Sequence, residues 1–265
     1  MSKFFQPERT LRRLAENSFR AIEDGAYETE HSFSHEALSL KKAILACPHA
    51  PLISEVKFSS PSRGKIRSRE SPLEIAETMT RSGASALSVL TQPYLFEGSI
   101  EYLAAIRKRV NIPILMKDII VSRVQVDAGR RVGADCILLI KSVFDQDLAE
   151  ESMDSLNEYA NKAGLNVLVE AHTEPEFKDA LNFRHDLIGI NNRDLETLKV
   201  DITTTEKLIS RYGKGKSIII TESGISAASD IQYLRRVGAD AFLVGTSIME
   251  TRDIASKVKE LYGAL

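Results

Sequence analysis

The chain has 265 residues, 35 basic and 37 acidic, with a formal net charge of −2 and 43% hydrophobic content. That length suits one large α/β domain or two small ones, and the near-neutral balance gives no footing for nucleic acid or an anionic membrane as a partner. No apolar run approaches the roughly 18 residues of a spanning helix, and MSKFFQPERTLRR lacks the apolar stretch of a secretory signal, so a cytoplasmic protein is expected.

In chain order, PERTLRRLAENSFRAIEDG places Leu11, Leu14, Ala15, Phe19 and Ile22 near one helical face, and SHEALSLKKAILA reads as a second helix. Neither buries its apolar face alone, so residues 1–48 are expected to pack as a helical extension on a single domain spanning 1–265. Eight short apolar runs follow: PLISEVK (51–57), ALSVLT (86–91), IPILMKD (112–118), CILLI (136–140), NVLVEA (166–171), LIGINN (187–192), SIIITES (217–223) and AFLVGT (241–246). Between them lie segments with helix-start chemistry, a Ser, Thr or Asp followed three residues later by Glu or Gln: Ser71/Glu74, Ser122/Gln125, Asp147/Glu150, Thr173/Glu176 and Thr203/Glu206. RSGAS, RVGAD, KAGLN and a second RVGAD precede the second, fourth, fifth and eighth runs, each setting a Gly where a helix ends.

Runs without strict alternation indicate strands covered on both faces, and eight βα steps match a closed (β/α)₈ TIM barrel. An open doubly wound sheet is the rival; its dinucleotide-binding version would carry Gly-x-Gly-x-x-Gly after the first strand, and that motif is absent. Cys47 and Cys136 stand alone without a CxxC and read as structural thiols.

In such barrels the active site lies where the strands end, and these ends are polar. Using the strand period of two, Lys117 shares a face with Leu115, Glu170 with Leu168 and Asn191 with Gly189, whereas Asp118 and His172 turn outward and read as structural. Glu55, Glu170 and Glu222 against Lys57, Lys117 and Arg193 make three charges of each sign, a set suited to desolvation and to acid/base work. TESGIS and VGTSIM, after the last two strands, carry Gly and hydroxyl residues where this fold commonly binds phosphate, with Lys57 and Ser60 within reach from the first strand. The five histidines are scattered and form no metal constellation, so no metal is expected.

ISEVKFSSPSRG, PILMKDII, GADCILLI, VLVEAH, IGINNRDLETL, TESGI and VGTSIM occur in order, nearly all at successive strands, and together resemble the indole-3-glycerol phosphate synthase family of tryptophan biosynthesis, in phrasing closest to its archaeal branch. The resemblance implies a cofactor-independent lyase that closes the phosphorylated anthranilate–ribulose substrate, 1-(2-carboxyphenylamino)-1-deoxyribulose 5-phosphate, with loss of CO₂ and water. It implies Lys117 as general acid, Glu170 as general base for dehydration, Lys57 near phosphate and leaving hydroxyl, Glu55 holding the lysines, and Asn191 with Arg193 orienting substrate. It also places Ser60, Pro61, Leu195, Glu222, Ser223, Gly224, Gly245 and Thr246 against the substrate. Ile119 stands where the family often has Phe, and Thr246 where relatives often have Ser or Glu. How Lys57 and Lys117 divide the proton transfers is left open, and protein partners are unknown. A different phosphate-binding barrel enzyme, such as an isomerase, and a non-catalytic phosphate-binding barrel are the competing readings.

Overall fold

The structure, a computed structural model, describes residues 10–67, 71–183 and 185–265. Eight parallel strands close into a barrel: β1 (Leu52–Val56), β2 (Ala86–Leu90), β3 (Ile114–Lys117), β4 (Cys136–Ile140), β5 (Asn166–Ala171), β6 (Leu187–Asn191), β7 (Ile218–Glu222) and β8 (Ala241–Val244). Each pairs with its sequence neighbours, and β8 returns to β1 through Phe242 opposite Leu52 and Val244 opposite Ser54. The eight apolar runs are these eight strands.

The period of two divides every strand between two cores. Ile53, Leu115, Leu138, Leu168, Ile220 and Leu243 meet inside the barrel. Leu87, Val89, Met116, Leu139, Val169 and Phe242 pack outward against the helices. Two residues further along β1, β3, β5 and β7, the inward positions are Glu55, Lys117, Glu170 and Glu222, so the alternation that fills the core also delivers charge to its upper layer.

Helix starts divide into those that follow the expected chemistry and those that do not. Ser71 and Ser122 cap their helices, and Thr173 forms a reciprocal box with Glu176. Asp147 instead takes a left-handed φ of 51°, Glu150 N donates to Val121 O, and the helix begins only at Met153 under Ser152. Thr203 is already helical; Asp201 Oδ1 accepts from its N–H at 3.0 Å and acts as the cap.

In both RVGAD phrases the Gly ends a helix in the left-handed region, Gly133 at φ 80° and Gly238 at 109°. The Asp has a shared job as well. Asp135 accepts from Ile114 N at 2.7 Å and Asp240 from Ile219 N at 2.9 Å, so each repeat ties an amide at the start of the preceding strand to the next turn.

Of the N-terminal extension, the first nine residues lie outside the described chain. Helix α1 (Thr10–Glu23) buries Leu11, Leu14 and Ala15 against the cluster that includes Ile119, Ile140 and Val143, over the mouth of the barrel. Helix α2 (Leu40–Ala46) buries Leu40 and Ile44 in the same cluster from the opposite end, where Lys41 pairs with Asp186 just ahead of β6. The connecting segment is pinned from top to bottom by Tyr27 on Asp118, Phe33 N on Arg131 O and His35 on Asp135.

Candidate active site

Lys117 is the centre of the upper layer. Its Nζ lies 3.0 Å from Glu170 Oε2 and 3.2 Å from Glu222 Oε2. Asn191 Nδ2 donates to the other Glu170 oxygen at 3.1 Å. Across the barrel, Lys57 Nζ reaches Glu55 Oε1 at 2.6 Å, and Ser88 donates to Glu55 Oε2 at 3.2 Å. Glu55, Glu170 and Glu222 are buried, so these interactions work in a medium far less screening than water.

The charge count differs from the expected three against three. Arg193 does not join the cluster: its Nη1 donates to Leu198 O at 2.9 Å, and Arg193 pairs with Val200 in an isolated bridge. Three carboxylates therefore face two ammonium groups. Burial pushes Glu222 up to about 8; Lys117 opposes this, while Glu170 and Glu55 push it further up.

Burial alone would lower Lys117, but Glu170, Glu222 and Glu55 outweigh it and raise its pKa well above the ordinary lysine value. Burial would likewise raise Glu55, yet Lys57 and Lys117 hold it below its ordinary value. Gly189 makes room for this arrangement, because a Cβ there would stand 2.6 Å from Glu222 Oε1. That oxygen has no hydrogen-bond partner among the described residues.

Above the cluster opens a cavity of about 440 Å³. All fifteen residues named from the sequence line it. Glu55, Lys57, Lys117, Glu170, Asn191 and Glu222 form the floor; Ser223, Gly224, Gly245 and Thr246 line it from the ends of β7 and β8; Ser60, Pro61, Ile119, Arg193 and Leu195 line the remainder. Ser60 lies in a small hairpin pairing Ser59–Ser60 with Gly64–Lys65, so SSPSRG turns back on itself within the connection after β1. Ser223 holds a left-handed φ of 65°, unusual for a residue with a Cβ.

Asp118 and His172 turn away from the interior cluster. Asp118 is bonded by Tyr27, Thr91 and Gln125, and His172 Nδ1 lies 2.7 Å from Asn191 O. Sequence reasoning missed Thr10 and Leu14 of α1, Arg63, and Gln92 and Phe96 after β2, all of which line the cavity. Gln92 was legible as a polar residue ending an apolar run like the others; nothing in α1 distinguishes a cavity-facing Leu14 from a core leucine.

Among solved structures, a thiamine phosphate pyrophosphorylase from Pyrococcus furiosus superposes with a TM-score of 0.61 at 16% identity, covering 85% of this chain and 97% of that one. An N-acetylmannosamine-6-phosphate 2-epimerase from Clostridium perfringens gives 0.59 at 15% identity, covering 83% and 93%. At such identities the likeness speaks for the fold alone. The family model for indole-3-glycerol phosphate synthase matches residues 11–261.

The chain belongs to the indole-3-glycerol phosphate synthase family.

Relatives bearing that name include those of the archaeon Methanocaldococcus jannaschii, 44% identical over 84% of this chain and 82% of the relative, and Acetivibrio thermocellus, 40% identical over 85% of each. That of Campylobacter fetus is 42% identical over 80% of each. The chain is thus a carbon–carbon lyase of tryptophan biosynthesis. Among the described residues no helix is long and apolar enough to cross a membrane. Where members of the indole-3-glycerol phosphate synthase family often carry Phe, Ile119 forms the cavity wall here, and Phe96 brings an aromatic ring to the same cavity from the turn after β2.

Proposed function

We propose that this protein closes 1-(2-carboxyphenylamino)-1-deoxyribulose 5-phosphate to indole-3-glycerol phosphate, releasing CO₂ and water, with Lys117 as general acid and Glu170 as general base. The observation that carries the reading is Lys117 Nζ held between Glu170 and Glu222 on the floor of an open cavity. Those ion pairs line the cavity, as chemistry on a bound ligand requires and as a non-catalytic scaffold has no use for. A cavity of about 440 Å³ falls in the range of small-ligand sites.

In the first half the ring carbon bearing the carboxylate attacks the ribulose carbonyl carbon. The carbonyl π pair moves to oxygen, and Lys117 delivers a proton there. Its raised pKa keeps Lys117 protonated until this step, and the developing alkoxide is basic enough to take the proton. Breaking the C–CO₂ bond returns its electron pair to the ring and restores aromaticity. In the second half Glu170 removes a proton from the carbon next to nitrogen as the former carbonyl oxygen departs, protonated, as water. Lys57 or Lys117 supplies that proton, and Glu55 holds Lys57 toward it through the 2.6 Å pair. Asn191, bonded to Glu170, fixes the direction of the base.

The phosphate is assigned to the side lined by Ser223, Gly224, Gly245 and Thr246, with Ser60 and Lys57 beside it. The aromatic ring is assigned to the wall of Ile119, Leu195 and Phe96, and Pro61 and Arg193 flank the entrance. Purified protein is expected to form fluorescent indoleglycerol phosphate from this substrate, and Lys117→Ala to lose about 10²–10⁴-fold in kcat. Undiminished turnover by Lys117→Ala would remove that residue from the mechanism.

A further inference from the structure

Asp118 follows Lys117 directly, is 2% exposed, and has no cationic partner among its bonded neighbours. Neutral donors surround it instead. Tyr27 Oη lies 3.0 Å from Oδ1 and 2.9 Å from Oδ2; Ile119 N donates to Oδ1 at 2.7 Å; Thr91 Oγ1 donates to Oδ2. Gln125 Nε2 donates to the Tyr27 oxygen at 3.1 Å, to Ile119 O at 2.9 Å and, more weakly, to Asp118 Oδ1 at 3.4 Å.

A buried carboxylate without a cation is an expensive way to hold a loop, and it persists only where the loop's exact course matters. The loop leaves β3 directly after Lys117, whose own carbonyl accepts from Thr91 N at 3.1 Å. Thr91 thus grips both the Lys117 backbone and the Asp118 carboxylate, while Tyr27, 91 residues earlier in the segment after α1, closes the other side.

We infer that Tyr27 and Asp118 are positioning residues for Lys117: the N-terminal extension reaches through Tyr27 to the Asp118 carboxylate, and that carboxylate holds the end of β3 so that the Lys117 ammonium meets the substrate carbonyl. The inference rests on Lys117 as the general acid. Tyr27 stands behind the cavity lining, and Asp118, which borders the cavity, has both carboxylate oxygens taken up by Tyr27, Thr91 and Ile119 N. Tyr27 keeps its proton, since burial and the Asp118 charge raise it far beyond the ordinary tyrosine value, so it remains a donor throughout. Gln125 belongs to the same device, because its Oε1 also accepts from Val121 N at 2.8 Å and so clamps the loop from Ile119 to Val121.

The test compares Tyr27→Phe, Asp118→Asn and the double variant with the parent chain. Titration with indole-3-glycerol phosphate counts intact sites, and kcat is expressed per intact site. Tyr27→Phe is expected to lower kcat per site about 3–10-fold and Asp118→Asn about 10–100-fold, with KM changed less than about threefold, because a misdirected acid affects the chemical step more than binding. The double variant is expected to lose no more than Asp118→Asn alone, since Tyr27 acts through that carboxylate. Should Asp118→Asn fail to fold, Tyr27→Phe carries the test by itself. Wild-type kcat per site in Tyr27→Phe, or losses that multiply in the double variant, overturns the inference. Lys117→Ala is assayed in parallel, so an active Lys117→Ala identifies failure of the general-acid assignment instead.

Discussion

Glu222 is the residue whose ionisation the barrel alters in the most testable way. Its carboxyl ordinarily titrates near 4.5 and is pushed up to about 8 here, first by burial. Between those values the unfolded chain has released this proton while the folded chain keeps it, so the folded state binds more protons and stability falls as pH rises through the window. Glu222→Gln removes that slope and leaves the opposite contribution of Glu55, whose pKa is lowered, in both proteins. The melting temperature of Glu222→Gln relative to the parent should therefore climb between about pH 5 and about pH 8.5. A constant or shrinking difference across that range would show that Glu222 is ionised in the folded protein. The inward aim of Glu222, Glu170 and Lys117 was legible in the sequence, because each stands two residues beyond an interior apolar side chain and period two holds to the strand end. The aim of Arg193 was not. β6 stops at Asn191, and beyond it the chain enters the bridge between Arg193 and Val200, where alternation no longer applies.

Among elements, the βα unit was legible because its punctuation is local: a helix-ending Gly and a strand-opening apolar run sit within a few residues of one another. The work of the RVGAD aspartates was hidden because both take a partner from the preceding strand, and Asp135 takes more from the extension. Asp135 accepts from Ile114 N, from Leu38 N at 2.6 Å and from Arg107 Nη2 at 2.7 Å, with His35 Nε2 2.6 Å away. Its counterpart Asp240 makes the same strand contact, but its cation, Lys214, is 36% exposed. Removing Asp135 leaves the Arg107 guanidinium buried and uncompensated, whereas Lys214 can turn to water. Asp135→Ala should cost about 3–5 kcal/mol and Asp240→Ala about 1 kcal/mol, measured by urea unfolding. Equal losses would mean that the repeated strand contact, shared by both, dominates and the buried pair adds nothing.

At the scale of the whole molecule, the extension closes both ends of the barrel, which composition and periodicity could not reveal. An amphipathic helix announces that it buries a face, not which surface receives it. α1 brings Leu14 and Thr10 to the cavity, α2 brings Leu40 and Ile44 to the closed end, and the segment between them is fastened at Asp118 and at Asp135. The two helices should therefore fail differently when removed. Deleting residues 1–24 takes away α1 while leaving Tyr27, α2 and both fastenings in the chain. Loss of the Leu14 wall should raise KM roughly tenfold, as expected for about 1.4 kcal/mol of lost apolar contact, with a modest fall in melting temperature. Deleting residues 1–48 also uncovers the interior apolar layer beside Leu187, Ile218 and Ala241 and leaves Arg107 and Asp135 without His35 and Leu38. That chain should bind a hydrophobic dye and melt far earlier than the shorter deletion. If the shorter deletion leaves KM unchanged, α1 covers the mouth without forming part of the substrate wall; if the longer one melts with the parent, the barrel's lower core is closed by its own side chains and α2 only decorates it.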